Sequence, residues 1–254
     1  MKRFITLFSI LCLGCSHLIF SSPTADQIME QVLERQSSTT SALDIRLTLI
    51  DTSGSTRERR LQTLSATKEG KTSTLTVFLS PESVRNTRFL SIEGTEGTTE
   101  QWIFLPSLKR IRKIAGTEEA GSFMGSDFSY SDMASTTYDT GQADHRLISE
   151  DSNSFTVESI PHEMKAYGKT ITVVDKETYL PLEVQFYESD RSTIVKTLTT
   201  EAIDTLSGRP VSTTMVMRTH SSSHATRLEI LQARYDIPLP EGYFTTRFLE
   251  TGRL

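Results

Sequence analysis

Between Leu43 and Leu49 every second residue is aliphatic, namely Leu43, Ile45, Leu47 and Leu49, and Asp44, Arg46 and Thr48 stand between them. A period of two gives a half-buried strand one apolar and one polar face. Just upstream the period is that of a helix. Ile28, Met29, Val32 and Leu33 fall on one face of a helix predicted to start after Thr24, where Gln27 completes a capping box, and to end near Gln36. Asp51-Thr52-Ser53-Gly54 reads as the first turn. Strand-like segments recur near 59–66, 73–79, 87–92, 100–105 and 110–114, then near 154–160, 169–174, 182–187, 194–203, 211–218 and 226–235. Short strands rich in Thr, Val, Ile and aromatics predict a mainly β protein with one antiparallel sheet of about eleven strands that curls on itself. So wide a sheet encloses more space than its own side chains fill, and a single good helix cannot fill the rest. An incompletely filled cavity is expected.

Residues 115–144 break the rhythm. Gly116, Gly121, Gly125 and Gly141 lie there among Ser, Thr, Phe and Met, which predicts a long connection with one short helix near Ser131 to Ser135. Connections of that length in a compact domain are usually functional or disordered.

The N-terminus carries a different signal. Met1-Lys2-Arg3 is followed by a largely apolar run from Phe4 to Phe20 and then by Ser21-Ser22-Pro23-Thr24-Ala25, the pattern of a secretory signal over residues 1–22 with cleavage between 21 and 25. The remainder, 24–254, contains no linker and is expected to form one domain. Both cysteines, Cys12 and Cys15, fall inside the signal, so the folded part has no thiol chemistry. Leu11-Cys12-Leu13-Gly14-Cys15 also admits a second reading, in which Cys15 is lipidated and anchors a cell-envelope lipoprotein of structural or adhesive role. Loss of residues 1–22 removes two positive charges and no acid, taking the formal charge from −5 to about −7. That disfavours a nucleic-acid partner.

Catalytic constellations are absent from the pattern, so no enzyme is predicted. His17 lies in the signal, and His145, His162, His220 and His224 have no nucleophile and base arranged beside them. His220 and His224 are separated by Ser221-Ser222-Ser223, a loop in which four-residue spacing does not align two rings on a metal. Gly121-Ser122-Phe123-Met124-Gly125 has its serine one place too early for a nucleophile elbow. Gly94-Thr95-Glu96-Gly97 and Glu69-Gly70-Lys71 lack the helix a phosphate cradle needs. No metal, nucleotide, flavin or other cofactor is therefore expected. In Lys109-Arg110-Ile111-Arg112-Lys113 the charges alternate along a strand, which suits either a solvated, aggregation-resisting edge or contact of Arg110 and Arg112 with an acidic partner or lipid headgroup.

The most informative stretch runs from Gln101 to Met133. Trp102-Ile103-Phe104-Leu105-Pro106 is apolar on both faces of a strand, and Arg110, Arg112 and Ile114 follow. Then comes Gly121-Ser122-Phe123-Met124-Gly125-Ser126-Asp127-Phe128, with Tyr130, Asp132 and Met133 behind it. This block resembles the outer-membrane lipoprotein-sorting family, the relatives of the carrier LolA. Weaker likeness extends through 81–90, 175–181, Lys196 and the 244–249 end. The resemblance implies an incomplete, strongly curved barrel whose helices close an apolar cavity for lipid or lipoprotein acyl chains, and a location in the periplasm. It implies an inner-membrane transporter and an outer-membrane acceptor as partners, and no catalytic residue. Trp102, Phe104, Phe123, Met124, Phe128 and Met133 are the expected lipid contacts. The segment Ala115 to Met133 is expected to be a movable cover, since glycine frees its backbone and methionine adapts to varied chains.

Overall fold

The computed structural model describes residues 22–94, 98–133, 141–163 and 166–254. The first element, α1 (Ala25–Gln36), forms as its sequence dictates. The Gln27 amide donates to the Thr24 hydroxyl at 3.2 Å and the Thr24 amide donates to Gln27 Oε1 at 2.9 Å, so two orphan donors of the first turn are satisfied reciprocally. Ile28, Met29 and Val32 are buried, and Leu33 is half-buried beside them.

Among the described residues thirteen strands follow in one antiparallel sheet. The first group is β1 (Thr40–Ile50), β2 (Thr56–Lys68), β3 (Lys71–Ser80), β4 (Arg88–Glu93), β5 (Thr99–Leu105) and β6 (Arg110–Ile114). The second is β7 (Ala143–Glu150), β8 (Ser154–Pro161), β9 (Lys169–Asp175), β10 (Pro181–Tyr187), β11 (Ile194–Leu206), β12 (Arg209–Thr219) and β13 (His224–Tyr235). The order in the sheet is β6-β5-β4-β3-β2-β1-β13-β12-β11-β10-β9-β8-β7. Each group is a meander, and the two are joined where β1 pairs with β13, with Leu47 opposite Leu228. β6 and β7 remain edges, so the strongly curved sheet does not close into a barrel. Two-residue turns suit such a meander: Glu69-Gly70 and Ser207-Gly208 both take positive φ, the conformation that matches the twist of the strands they join.

The described residues hold thirteen strands where about eleven are expected, and β7 is the one with no counterpart among the predicted segments. Its side chains are mostly exposed, as befits an edge, and only Ala143 in it is buried. Too few of its positions are apolar to register as alternation.

Register divides the side chains between two faces. Ile45, Leu47 and Leu49 on β1, Leu61 on β2, Phe78 on β3, Phe89 on β4 and Ile103 on β5 share one buried cluster with Val184 and Phe186 on β10, Leu198 on β11 and Met217 on β12. That cluster lies on the inner, concave face. The farther strands continue the same face, where α1 packs Ile28, Met29 and Val32 against Phe155, Val157 and Val174. On the outer face of β2 to β6 a second layer forms. Leu75, Leu90 and Phe104 are covered there by Leu249 of α2 (Thr246–Thr251), and the Arg88 guanidinium reaches the carbonyls of Leu249 at 2.7 Å and Glu250 at 2.9 Å. Among the described residues no helix is long and apolar enough to cross a membrane.

Candidate ligand site

The chain must pass from β6 at one edge to β7 at the other, and the described part of that connection, up to Met133, lies against the inner face. After a 3-10 turn at Gly116–Glu118, the strand-like pair Ser122 and Ser129 forms a miniature hairpin. Its turn is Phe123 to Ser126: the Ser126 amide donates to the Phe123 carbonyl at 3.0 Å, and Met124 and Gly125 have φ of 54° and 75°. Two central residues with positive φ define a type I′ turn, which glycine adopts freely and methionine at some cost. This turn drives Phe123 into the core. Its ring, fully buried, meets Phe89 at 5.2 Å, Tyr130 at 5.5 Å and Phe78 at 5.8 Å between centroids.

Polar contacts fix the crossing. The Thr226 hydroxyl of β13 donates to Asp127 at 2.7 Å, and Arg59 of β2 donates to the Met124 carbonyl at 2.6 Å. Gln101 of β5 donates to the Tyr130 carbonyl at 3.0 Å, and burial pushes the Tyr130 phenol pKa up. Asp132 is almost wholly buried. Its carboxylate accepts from the Ser129 amide at 2.7 Å, the Tyr167 hydroxyl at 2.9 Å and Lys196 Nζ at 3.2 Å. A carboxylate so removed from water is tolerated because every partner donates to it.

Beside this filled region the inner face is open. A cavity of about 250 Å³ lies between the C-terminal end of α1 and strands β1 and β10 to β13. Leu43, Val184, Leu198, Met215 and Ile230 form its apolar wall, and these side chains belong to or pack against the main core cluster. Arg35, Ser38, Ser41, Arg209 and Ser212 line it at the end where α1 stops, β1 and β12 begin and β13 finishes. The space is apolar within and basic at its mouth.

The expected ligand contacts divide between two places. Phe123 and Phe128 are buried in the inner cluster, with Met124 and Met133 packed against it. Trp102 and Phe104 face the other way, in the outer layer under α2, with the Arg88 guanidinium 4.3 Å from the centre of the Phe104 ring. Alternation along β5 makes this inevitable, since Ile103 between them points inward. Arg110 is exposed, and Arg112 is tied to Glu118 at 2.6 Å, an acid whose pKa is lowered by the Ala115 amide and then by Arg112. Ser131 to Met133, the described part of the expected short helix, is a turn. Cys15 and the expected signal up to Ser21 lie outside the described residues. His220 and His224 flank the β12–β13 turn, and among the described residues no group of His, Cys, Asp and Glu is arranged to hold a metal ion. The cavity residues of β10 to β13 carried no sequence signal beyond inward parity, because parity does not say which inward positions another segment covers.

An open, strongly curved antiparallel sheet crossed by one segment and carrying an inner-face cavity defines a class of half-barrel proteins. A family model described as "uncharacterized protein" matches residues 70–251. A domain from Vibrio parahaemolyticus, provisionally named an outer membrane lipoprotein-sorting protein domain, shares 27% identity and a TM-score of 0.79, over 87% of this chain and 97% of that one. A DUF1329 family protein from Desulfovibrio piger shares 24% identity and a TM-score of 0.81, over 90% of this chain and 100% of that one. A LolA superfamily protein from Nitrosomonas europaea has the same fold, with 19% identity and a TM-score of 0.72 over 89% of this chain and 100% of that one. No match is found among curated proteins. The chain belongs to the family of the matching model, and it shares its fold with the LolA superfamily protein.

Proposed function

We propose that this protein is a carrier of the periplasm, which takes lipid or the acyl chains of lipoproteins into its inner-face cavity and moves them toward the outer membrane. The observation that carries the reading is the cavity itself: an apolar wall left uncovered on the concave face of an open sheet. Apolar concave space with a few polar groups at one end is the usual form of a small-molecule site. The provisional name of the Vibrio parahaemolyticus domain supports the cargo class. Residues 1–22 act as the export signal in this reading, and 24–254 work as one domain. An inner-membrane transporter supplies the cargo and an outer-membrane acceptor receives it. No step of the role requires catalysis.

The crossing segment serves as the cover. Phe123, Met124, Phe128 and Met133 hold it down, each buried apolar side chain being worth about 1.5–3 kcal/mol, and a bulkier cargo competes for that contact. Native mass spectrometry of the protein purified from its own envelope tests the proposal. Added mass that matches acyl-bearing lipid supports it, and a bare polypeptide from every gentle preparation overturns it. The same spectra fix the mature N-terminus. A start between 21 and 25 fits the free carrier, whereas an acylated Cys15 makes the protein an anchored envelope lipoprotein.

A further inference from the structure

The charge at the cavity mouth specifies more than an apolar ligand, and this step rests on the carrier reading. Among the described residues two cationic side chains, Arg35 and Arg209, line the cavity, and no acidic side chain does. Arg209 is already engaged, donating to Asp236 at 2.6 Å and to the Ser37 carbonyl at 3.0 Å. Arg35 sits exposed in the last turn of α1 and forms no ion pair among the described residues. Arg209 and Asp236 cancel, so the mouth keeps one positive charge. About half of that charge offsets the negative end of the α1 dipole, and the remainder faces whatever occupies the cavity. Ser38, Ser41 and Ser212, which line the cavity near this end, add hydroxyls able to donate to an anion.

The size of the cavity sets a second limit. At about 250 Å³ it falls just below the usual range for drug-sized ligands, so it has room for one chain and not for several. The apolar wall of Leu43, Val184, Leu198, Met215 and Ile230 runs inward from the basic mouth, which fixes the direction in which such a chain enters.

We infer that the cavity is a site for a single-chain amphiphile with an anionic headgroup, its chain along Leu198, Met215 and Ile230 and its carboxylate or phosphate at Arg35. The headgroup chemistry is shared by free fatty acids and by single-chain phospholipids, and the test separates them. Protein purified from its envelope and stripped of lipid is loaded with a fluorescent acyl probe at low salt and neutral pH. Hexadecanoate, hexadecyl phosphate and hexadecanol then compete for it. The anionic compounds are expected to displace the probe at about fivefold lower concentration than the alcohol, an advantage that shrinks as salt is added. The more potent of the two acids identifies the headgroup. Arg35→Gln is expected to abolish the advantage without changing the melting temperature, because the side chain is exposed. Met215→Trp, which fills the cavity, is expected to weaken all three compounds. Equal potency of acid and alcohol, or an advantage that survives Arg35→Gln, overturns the headgroup inference and leaves the carrier reading standing. Displacement unaffected by Met215→Trp overturns the site. A probe that never binds overturns both readings.

Discussion

The two halves of the inner face obey one sequence rule and reach opposite ends. Along β2 to β5 the inward residues Leu61, Phe78, Phe89 and Ile103 meet Phe123 and Tyr130 of the crossing segment, and the space is filled. Along β10 to β13 the inward residues Val184, Leu198, Met215 and Ile230 are equally apolar, but about 250 Å³ beside them stays unoccupied. Period-two alternation therefore prepares a surface, and what lands on that surface decides whether it becomes core or site. The segment that crosses the sheet makes the choice by where its aromatics fall.

Substitutions at matched positions measure that difference most directly. Phe123→Ala removes a ring enclosed by three others and is expected to cost about 3–5 kcal/mol, lowering the melting temperature by about 6–20 °C. Met215→Ala, half-buried against the open space, is expected to cost only about 1 kcal/mol and to alter acyl-probe affinity, since its loss enlarges a cavity already present. Equal costs in denaturant titrations would erase the contrast.

The buried charge between the halves comes next in size. Asp132→Ala strands Lys196 in a mostly buried setting, and about 3 kcal/mol should be lost. Adding Lys196→Met should recover a large part of it, and failure to recover would mean that Asp132 acts through Tyr167 and the Ser129 amide alone.

Turn glycines give a smaller, paired test. Gly125 in the crossing segment and Gly208 at the β11–β12 turn both have positive φ and open space where a Cβ would go. Alanine at either should cost about 1 kcal/mol from backbone strain alone. A much larger loss at Gly125 would show that its turn also sets the depth of Phe123.

The smallest effect is one of pH. Asp144 accepts from His162 at 3.0 Å near the β7 edge, and this hydrogen bond raises the imidazole pKa. A raised folded pKa gives stability that is complete below the ordinary histidine pKa, about 6.5, and is lost as pH rises through the raised value. Melting curves of His162→Gln should coincide with the parent at pH 8 and fall slightly below it at pH 5.5. Because the pair is exposed, salt should remove the difference.

Much of this architecture could be read from the residues. The capping box at Thr24, the alternation on β1 and the switch from a helical to a two-residue period pointed to the class, and the 101–133 block pointed to relatives of the same fold. The site was less legible for two physical reasons. Trp102 and Phe104 look like ligand contacts because the strand is apolar on both faces, yet the second face packs with Tyr243, Phe248 and Leu249, far along the chain. Leu198, Met215 and Ile230 look like ordinary core because nothing local marks the absence of a covering residue. Arg35 looked like the end of a helix, and its place at the cavity mouth depends on how β1, β12 and β13 meet beneath it.

The seam between β1 and β13 has a kinetic meaning. Every other pairing in the sheet joins strands that are neighbours in the chain, and each can close early over a short loop. β1 and β13 alone wait for partners such as Ser41 and Tyr235, separated by almost the whole chain, and loop-closure entropy delays their meeting until both meanders exist. Folding is therefore expected to end at this seam. Weakening Leu47 against Leu228 should hasten unfolding far more than it slows folding, which makes the centre of the finished sheet its youngest part.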